Sequence, residues 1–329
     1  MTTRVGAWLS HSADRIFVDE PENDDHKEDE QEPRMDARWI VNRARDLHPS
    51  TSIIQIGTTP PLSRVSTNSI HWESVPTIDP TITYDHKQRG GYSEIPRLSN
   101  HAIQRILEKT HANQPVLILD PYRDTEFLAQ LHSNSARELL GSSTIPVLNL
   151  SDLHQSGLPK NALVVLLDLA GIGGVIEDIR KKERSVIAWR RLCSRLALFD
   201  CQLLVQGDDT QLAEARTWLT REGLQITWEN ELSSRHTFKY PPSFPRIKLI
   251  IVGEKITATT ILDDLENHLP PDWSAEGIHE VQTTSSRSLR WIIHVVSKNA
   301  DQDVSEIHDI LLKYAKTCII DLDPIAFFR

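Results

Sequence analysis

Two short runs limit the folds open to this chain. Pro115-Val-Leu-Ile-Leu-Asp120 and Ala162-Leu-Val-Val-Leu-Leu167 are almost wholly apolar and too short for helices. Runs of this length, apolar at every position, belong to strands buried on both faces. Helical patterns separate them: residues 100–110, with Ala102, Ile103, Ile106 and Leu107 inward, and residues 125–140. Strands alternating with helices predict a parallel sheet covered on both sides. Further strands are expected at 145–150, 201–206 and 224–228, and further helices at 176–196 and 210–221. After residue 246 the order becomes β-α-β-β-α-β, that of a split βαβ sandwich.

Near the N-terminus a third apolar run, Ile16-Phe17-Val18, ends in Asp19-Glu20. Paired acids closing a buried strand fall at the carboxyl edge of a sheet, where open α/β sheets bind ligands. In nucleotide hydrolases an aspartate there holds Mg²⁺ and a neighbouring carboxylate serves the attacking water. Pro21 to Gln31 is almost devoid of apolar residues and reads as a solvated loop. A helix is expected from Asp36, then a strand at 52–56, broken by Gly57-Thr58-Thr59-Pro60-Pro61. Residues 73–98 read as a partly extended connector.

Composition narrows the classes. The formal charge is -10, which argues against bulk attraction to nucleic acid but leaves room for a local basic surface. The best such surface is the cationic side of the 176–196 helix, with Arg180, Lys181, Lys182, Arg184, Arg190, Arg191 and Arg195. The alternative is a solvated helix face paired with Glu177, Asp178 and Glu183. Three dispersed cysteines fit a reducing cytoplasm, and no Cys-x-x-Cys pair suggests a zinc ribbon. No run of about 18 apolar residues is present to span a bilayer. No Gly-Lys dipeptide occurs, so the chain lacks the cradle of amides and lysine that a phosphate loop needs.

Three separated blocks resemble the PriA family, the primosomal protein N′ helicases of bacterial replication restart. Ile-Phe-Val-Asp19-Glu20, Pro33-Arg34, Ala37-Arg38 and Gly57-Thr58-Thr59-Pro60 resemble the second and third helicase motifs and the segment between them. Asp178-Ile-Arg180 and Glu183-Arg184 resemble the approach to the sixth motif, of which Arg195 is the one arginine retained. Glu231-Leu232, Arg235 and Tyr240-Pro241-Pro242 resemble the opening of the family's C-terminal domain. Arg290-Trp291 and Asp321-x-Asp323-Pro324 resemble its later strands.

The resemblance implies a remnant of a two-lobe helicase core followed by a C-terminal α+β domain. Residues 1–72 would be the remnant of lobe 1, 73–98 the connector, 99–228 a reduced lobe 2, and 229–329 the C-terminal domain. The family's N-terminal DNA-binding half, phosphate loop and zinc-binding cysteines have no counterpart. The implied function is a replication-restart protein that binds forked or single-stranded DNA, single-strand binding protein and primosome components without helicase activity. Asp19, Glu20 and Arg195 would be vestigial catalytic residues, Gly57, Thr58 and Thr59 the third motif, and Arg180, Lys181, Arg184 and Arg191 the DNA contacts. No cofactor is expected; ATP and Mg²⁺ would enter only if a phosphate loop were supplied from elsewhere, as half of an active ATP-dependent helicase. A structural adaptor without DNA contact is the remaining alternative.

Overall fold

The computed structural model describes residues 15–19, 52–56, 75, 77–78, 81–86, 95–122, 124–141, 144–150, 153, 158–173, 180–281, 289–300 and 302–322; at 15–19 and 52–56 this covers the backbone alone. The protein is mixed α/β, with a five-stranded parallel sheet and a four-stranded antiparallel sheet. The chain divides into two compact units, Trp72–Glu177 with Lys181–Thr227, and Met1–His71 with Asp178–Arg180 and Trp228–Arg329. Strands β1 (Arg15–Asp19) and β2 (Ser52–Ile56) pair in parallel, with Asp19 opposite Ile56.

The parallel sheet contains β3 (Thr81–His86), β4 (Val116–Leu119), β5 (Val147–Leu148), β6 (Leu163–Leu166) and β7 (Gln202–Gly207). Its spatial order is β3-β7-β6-β4-β5. Every residue of β4 and β6 is buried, as their unbroken apolar runs require. Val116, Ile118, Leu163 and Val165 share a core with Ala102, Ile103, Ile106, Phe127, Leu131 and Leu140. Those last six lie on helices α1 (Asn100–His111), α2 (Thr125–Leu131) and α3 (Asn134–Leu140). Helices α4 (Lys181–Leu198) and α5 (Asp209–Thr217) both pack on β7.

Three expectations are corrected here. The 73–98 segment supplies edge strand β3, whose alternating Thr-Ile-Thr-Tyr suits a half-covered strand. The helix expected over 125–140 is two helices, because Ser133 caps a new one by accepting from the Ala136 amide. The strand expected at 224–228 is part of α6 (Arg221–Thr237). Leu224, Thr227, Trp228 and Arg235 are buried there, a spacing of three, four and seven that only a helix gathers on one face.

The antiparallel sheet follows the expected β-α-β-β-α-β order: β8 (Arg246–Val252), α7 (Lys255–His268), β9 (Trp273–Val281), β10 (Arg290–Ser297), α8 (His308–Leu312) and β11 (Cys318–Leu322). A 3₁₀ turn over Val304–Ile307 precedes the short α8. Strand order is β11-β8-β10-β9, so each βαβ crossover straddles a third, antiparallel strand. Ile247, Leu249, Ile251, Trp291, Ile293 and Val295 form the sheet's contribution to a core completed by Ala258, Ile261, Leu265, Ile307 and Leu311. The intervening residues of β8 and β10 are buried too, and Lys248 there forms an ion pair with Asp321 at 3.7 Å. Asp321 thus fixes the last strand, while Asp323 lies outside the described residues. Among the described residues no helix is long and apolar enough to cross a membrane.

Candidate functional site

In the parallel sheet the chain runs outward from β4 to β5, then returns to β6 and β7. The reversal falls between β4 and β6. Open α/β sheets offer their ligand crevice at such a point, outside the carboxyl ends. Asp120 follows β4 and Asp168 lies two residues beyond β6, so both acids stand at that edge.

Among the described residues, that edge carries a network of the chain's own side chains. Asp120, 1 % exposed, receives both guanidinium nitrogens of Arg97, at 2.8 and 3.1 Å, and the backbone amides of Asp124 (2.8 Å) and Tyr122 (3.1 Å). Burial pushes the Asp120 carboxyl up, but these hydrogen bonds and the Arg97 charge outweigh it and hold it below the usual value. Arg97 also reaches Asp124 at 3.3 Å and stacks over the rings of Tyr122 and Phe127, at 5.5 and 5.3 Å. The Tyr122 hydroxyl donates to Asp168 at 3.4 Å; burial and that carboxylate raise its pKa.

Gly171 makes the packing possible: a Cβ there would stand 2.7 Å from both Pro121 Cβ and Tyr122 Cζ. Gln206, fully buried, closes the floor. Its amide donates to the carbonyls of Arg97 (2.9 Å) and Leu167 (3.2 Å), and its oxygen accepts from the Ser99 amide (2.7 Å). Ser99 caps α1 through the Ala102 amide and donates to Asp85. Chemically this edge is an acidic, internally satisfied network. Among the described residues no group of three His, Cys, Asp or Glu side chains is placed to hold a metal ion.

The residues singled out from sequence are dispersed. Asp19 closes β1, and Glu20, Gly57, Thr58 and Thr59 lie outside the described residues. Arg180 is 3 % exposed; Lys181, Arg184, Arg191 and Arg195 are half-buried on or beside α4. Arg184 donates to the Gly173 carbonyl at 3.1 Å and Lys182 pairs with Glu214 at 3.4 Å. Arg190 is fully buried and donates to the carbonyls of Trp218 (2.7 Å) and Leu219 (3.2 Å), satisfying the C-terminal end of α5. Burial pulls its pKa down to about 10. Lys182, Arg184 and Arg190 thus tie α4 to its own unit, and none of the cations from Lys181 through Arg195 is fully exposed.

A second cluster lies at the end of α6, where the sequence singles out Glu231, Arg235 and Tyr240 but not Phe238, Lys239 and Phe244 around them. Arg235 pairs with Glu231 at 2.8 Å, as their four-residue spacing predicts, and donates to the Pro241 carbonyl at 3.2 Å. The helix ends in a Schellman motif: the Tyr240 amide donates to the Arg235 carbonyl (2.7 Å) and the Lys239 amide to that of His236 (3.2 Å). The left-handed position, normally glycine, is Lys239 at φ 55°. Its chain neighbours are aromatic. Phe238 is 67 % exposed and lies 6.5 Å from the Tyr240 ring, His236 packs 5.6 Å from Phe244 with the rings tilted by 59°, and Arg246 sits 5.9 Å over Tyr240. The available signal was His236-Thr-Phe-Lys-Tyr-Pro-Pro-Ser-Phe-Pro-Arg246, in which rings and cations alternate.

No protein-family model matches the sequence, and no curated protein matches it.

Proposed function

We propose that this protein is a PriA-like replication-restart factor that binds forked or single-stranded DNA and primosomal proteins without being a motor. The observation that supports the non-motor part is the internally bonded network at the switch point. Among the described residues, Arg97 is committed to Asp120 and Asp124 there, Tyr122 to Asp168 and Gln206 to the Arg97 and Leu167 carbonyls, and no lysine joins them to meet a phosphate. The missing Gly-Lys cradle points the same way. The DNA-binding part is supported by the resemblance of three blocks in family order and by a β-α-β-β-α-β unit beginning directly after Tyr240-Pro241-Pro242.

Purified protein tests both parts. DNA-stimulated ATP hydrolysis is expected to stay at background, with Asp19→Asn and Glu20→Gln no different from the parent. Turnover lost in both variants would overturn the non-motor reading. Fork-DNA binding by fluorescence anisotropy is expected to be measurable and to weaken with salt. Absence of binding at low salt would leave the adaptor reading, which the net charge of -10 and the internal use of the α4 cations favour.

A further inference from the structure

We infer that the corner at residues 236–246 is a stacking site for the bases of a single-stranded nucleic acid, a role that rests on the DNA-binding reading above and gives it an address. Sequence-tolerant single-strand sites pair exposed aromatic faces with cations that follow the backbone. Phe238 presents such a face, 67 % exposed, on a helix end fixed by two backbone hydrogen bonds. Its ring and that of Tyr240 are 6.5 Å apart and 34° from parallel. That gap is less than the two carbon layers of about 3.5 Å each that an intercalated base needs, so the base stacks on the exposed outer face of Phe238 rather than between the rings. Lys239, between the two aromatics, is exposed, and Arg246 covers Tyr240. Arg246 also keeps a 3.0 Å bond to Glu276, so Lys239 is the principal phosphate contact.

The left-handed backbone at Lys239 supports a role beyond structure. The other long residue in that conformation, Arg97, is fully engaged with two carboxylates, and the remaining non-glycine cases are Asn113, Asn161 and Asp200, types that tolerate it. A cation held where glycine is preferred, beside an exposed ring, is the kind of strain that accompanies binding sites.

The test is anisotropy of a fluorescein-labelled deoxythymidine oligomer, an abasic oligomer of the same length, and a forked duplex with the full chain. Phe238→Ala should bind the thymidine oligomer roughly 5- to 150-fold more weakly. It should leave the abasic oligomer unaffected, because that ligand offers phosphates but no faces. Phe238→Trp should keep parental affinity and add a DNA-dependent loss of indole emission over the parent protein. With two backbone contacts, log affinity should fall against log salt with a slope of only about -1.4. If Phe238→Ala binds thymidine oligomer as the parent does, or loses abasic binding equally, the stacking site is wrong while DNA binding stands. The same holds if the parent binds the fork but not the single strand. If the parent binds none of the three, the DNA-binding reading falls, and this site with it.

Discussion

Arg97 and Lys239 are the same backbone problem solved for different ends. Each is a long cationic residue in the left-handed region, at φ 67° and 55°, where an L side chain costs about 1–2 kcal/mol. Arg97 recovers that cost inside the protein: two bonds to a buried carboxylate, one to Asp124, and two aromatic faces beneath it. Lys239 stands exposed beside Phe238. Among the described residues, no carboxylate forms an ion pair with it. The same local strain therefore marks an internal cross-link in one place and a surface with an outward use in the other. What separates them is the neighbourhood, carboxylates around one and rings around the other.

The comparison breaks first at Arg97. Arg97→Ala strands Asp120, 1 % exposed, with only its two amide donors, and should destabilise the protein by about 2–4 kcal/mol, read as a lower urea midpoint. Lys239→Ala should stay within about 0.5 kcal/mol. Equal losses would mean that the two corners do not differ as described.

Acid sharpens the same point. The folded Asp120 carboxyl is held below the ordinary aspartate value of 3.8 by Arg97 and the two amides, against the opposing effect of burial. Its contribution is fully present above that value and lost as pH falls through the folded one, so the parent should weaken below about pH 4. In Arg97→Met the Arg97 hydrogen bonds and charge are lost while burial remains, so the carboxyl rises relative to the parent. That variant should lose less over the same acid range in urea titrations.

Gly171→Ala is next in size. The new Cβ, 2.7 Å from Pro121 and from the Tyr122 ring, forces the plug off its seat and should cost about 1–3 kcal/mol. Gly253→Ala, where nothing lies within 4 Å, carries only the penalty of its φ of 134°. A milder effect at Gly171 than at Gly253 would show that the crevice is not packed as tightly as its distances imply.

Much of this could be read from the chain alone, for identifiable reasons. The runs at 116–119 and 163–166 announced themselves because full burial leaves no polar position to confuse. The β-α-β-β-α-β order was legible because helical and alternating periods succeed each other cleanly after Arg246. Leu224–Trp228 misled because five residues contain too little of either period, and only the later burial of Arg235 completes the helical face. What the individual cations of 180–195 serve was not legible, because a guanidinium can bond buried carbonyls as readily as solvent or phosphate, and Arg190 does. The Arg97–Asp120 clamp joins residues 23 positions apart and depends on which strand ends fall at the sheet's reversal, which no local pattern states.

The smallest effect discriminates best. Lys239→Gly removes the left-handed strain of about 1–2 kcal/mol but returns about 0.4–1 kcal/mol of backbone freedom to the unfolded chain. A net gain of about 0.5–1 kcal/mol should appear as a higher urea midpoint. If Lys239 is kept for nucleic acid, the same variant must bind single-stranded thymidine oligomers less well and with a shallower salt dependence. Stability and binding then move in opposite directions from one substitution, which a purely structural lysine cannot produce. A variant that is more stable and binds as the parent does would make the lysine incidental, leaving Phe238 to carry the site through stacking alone.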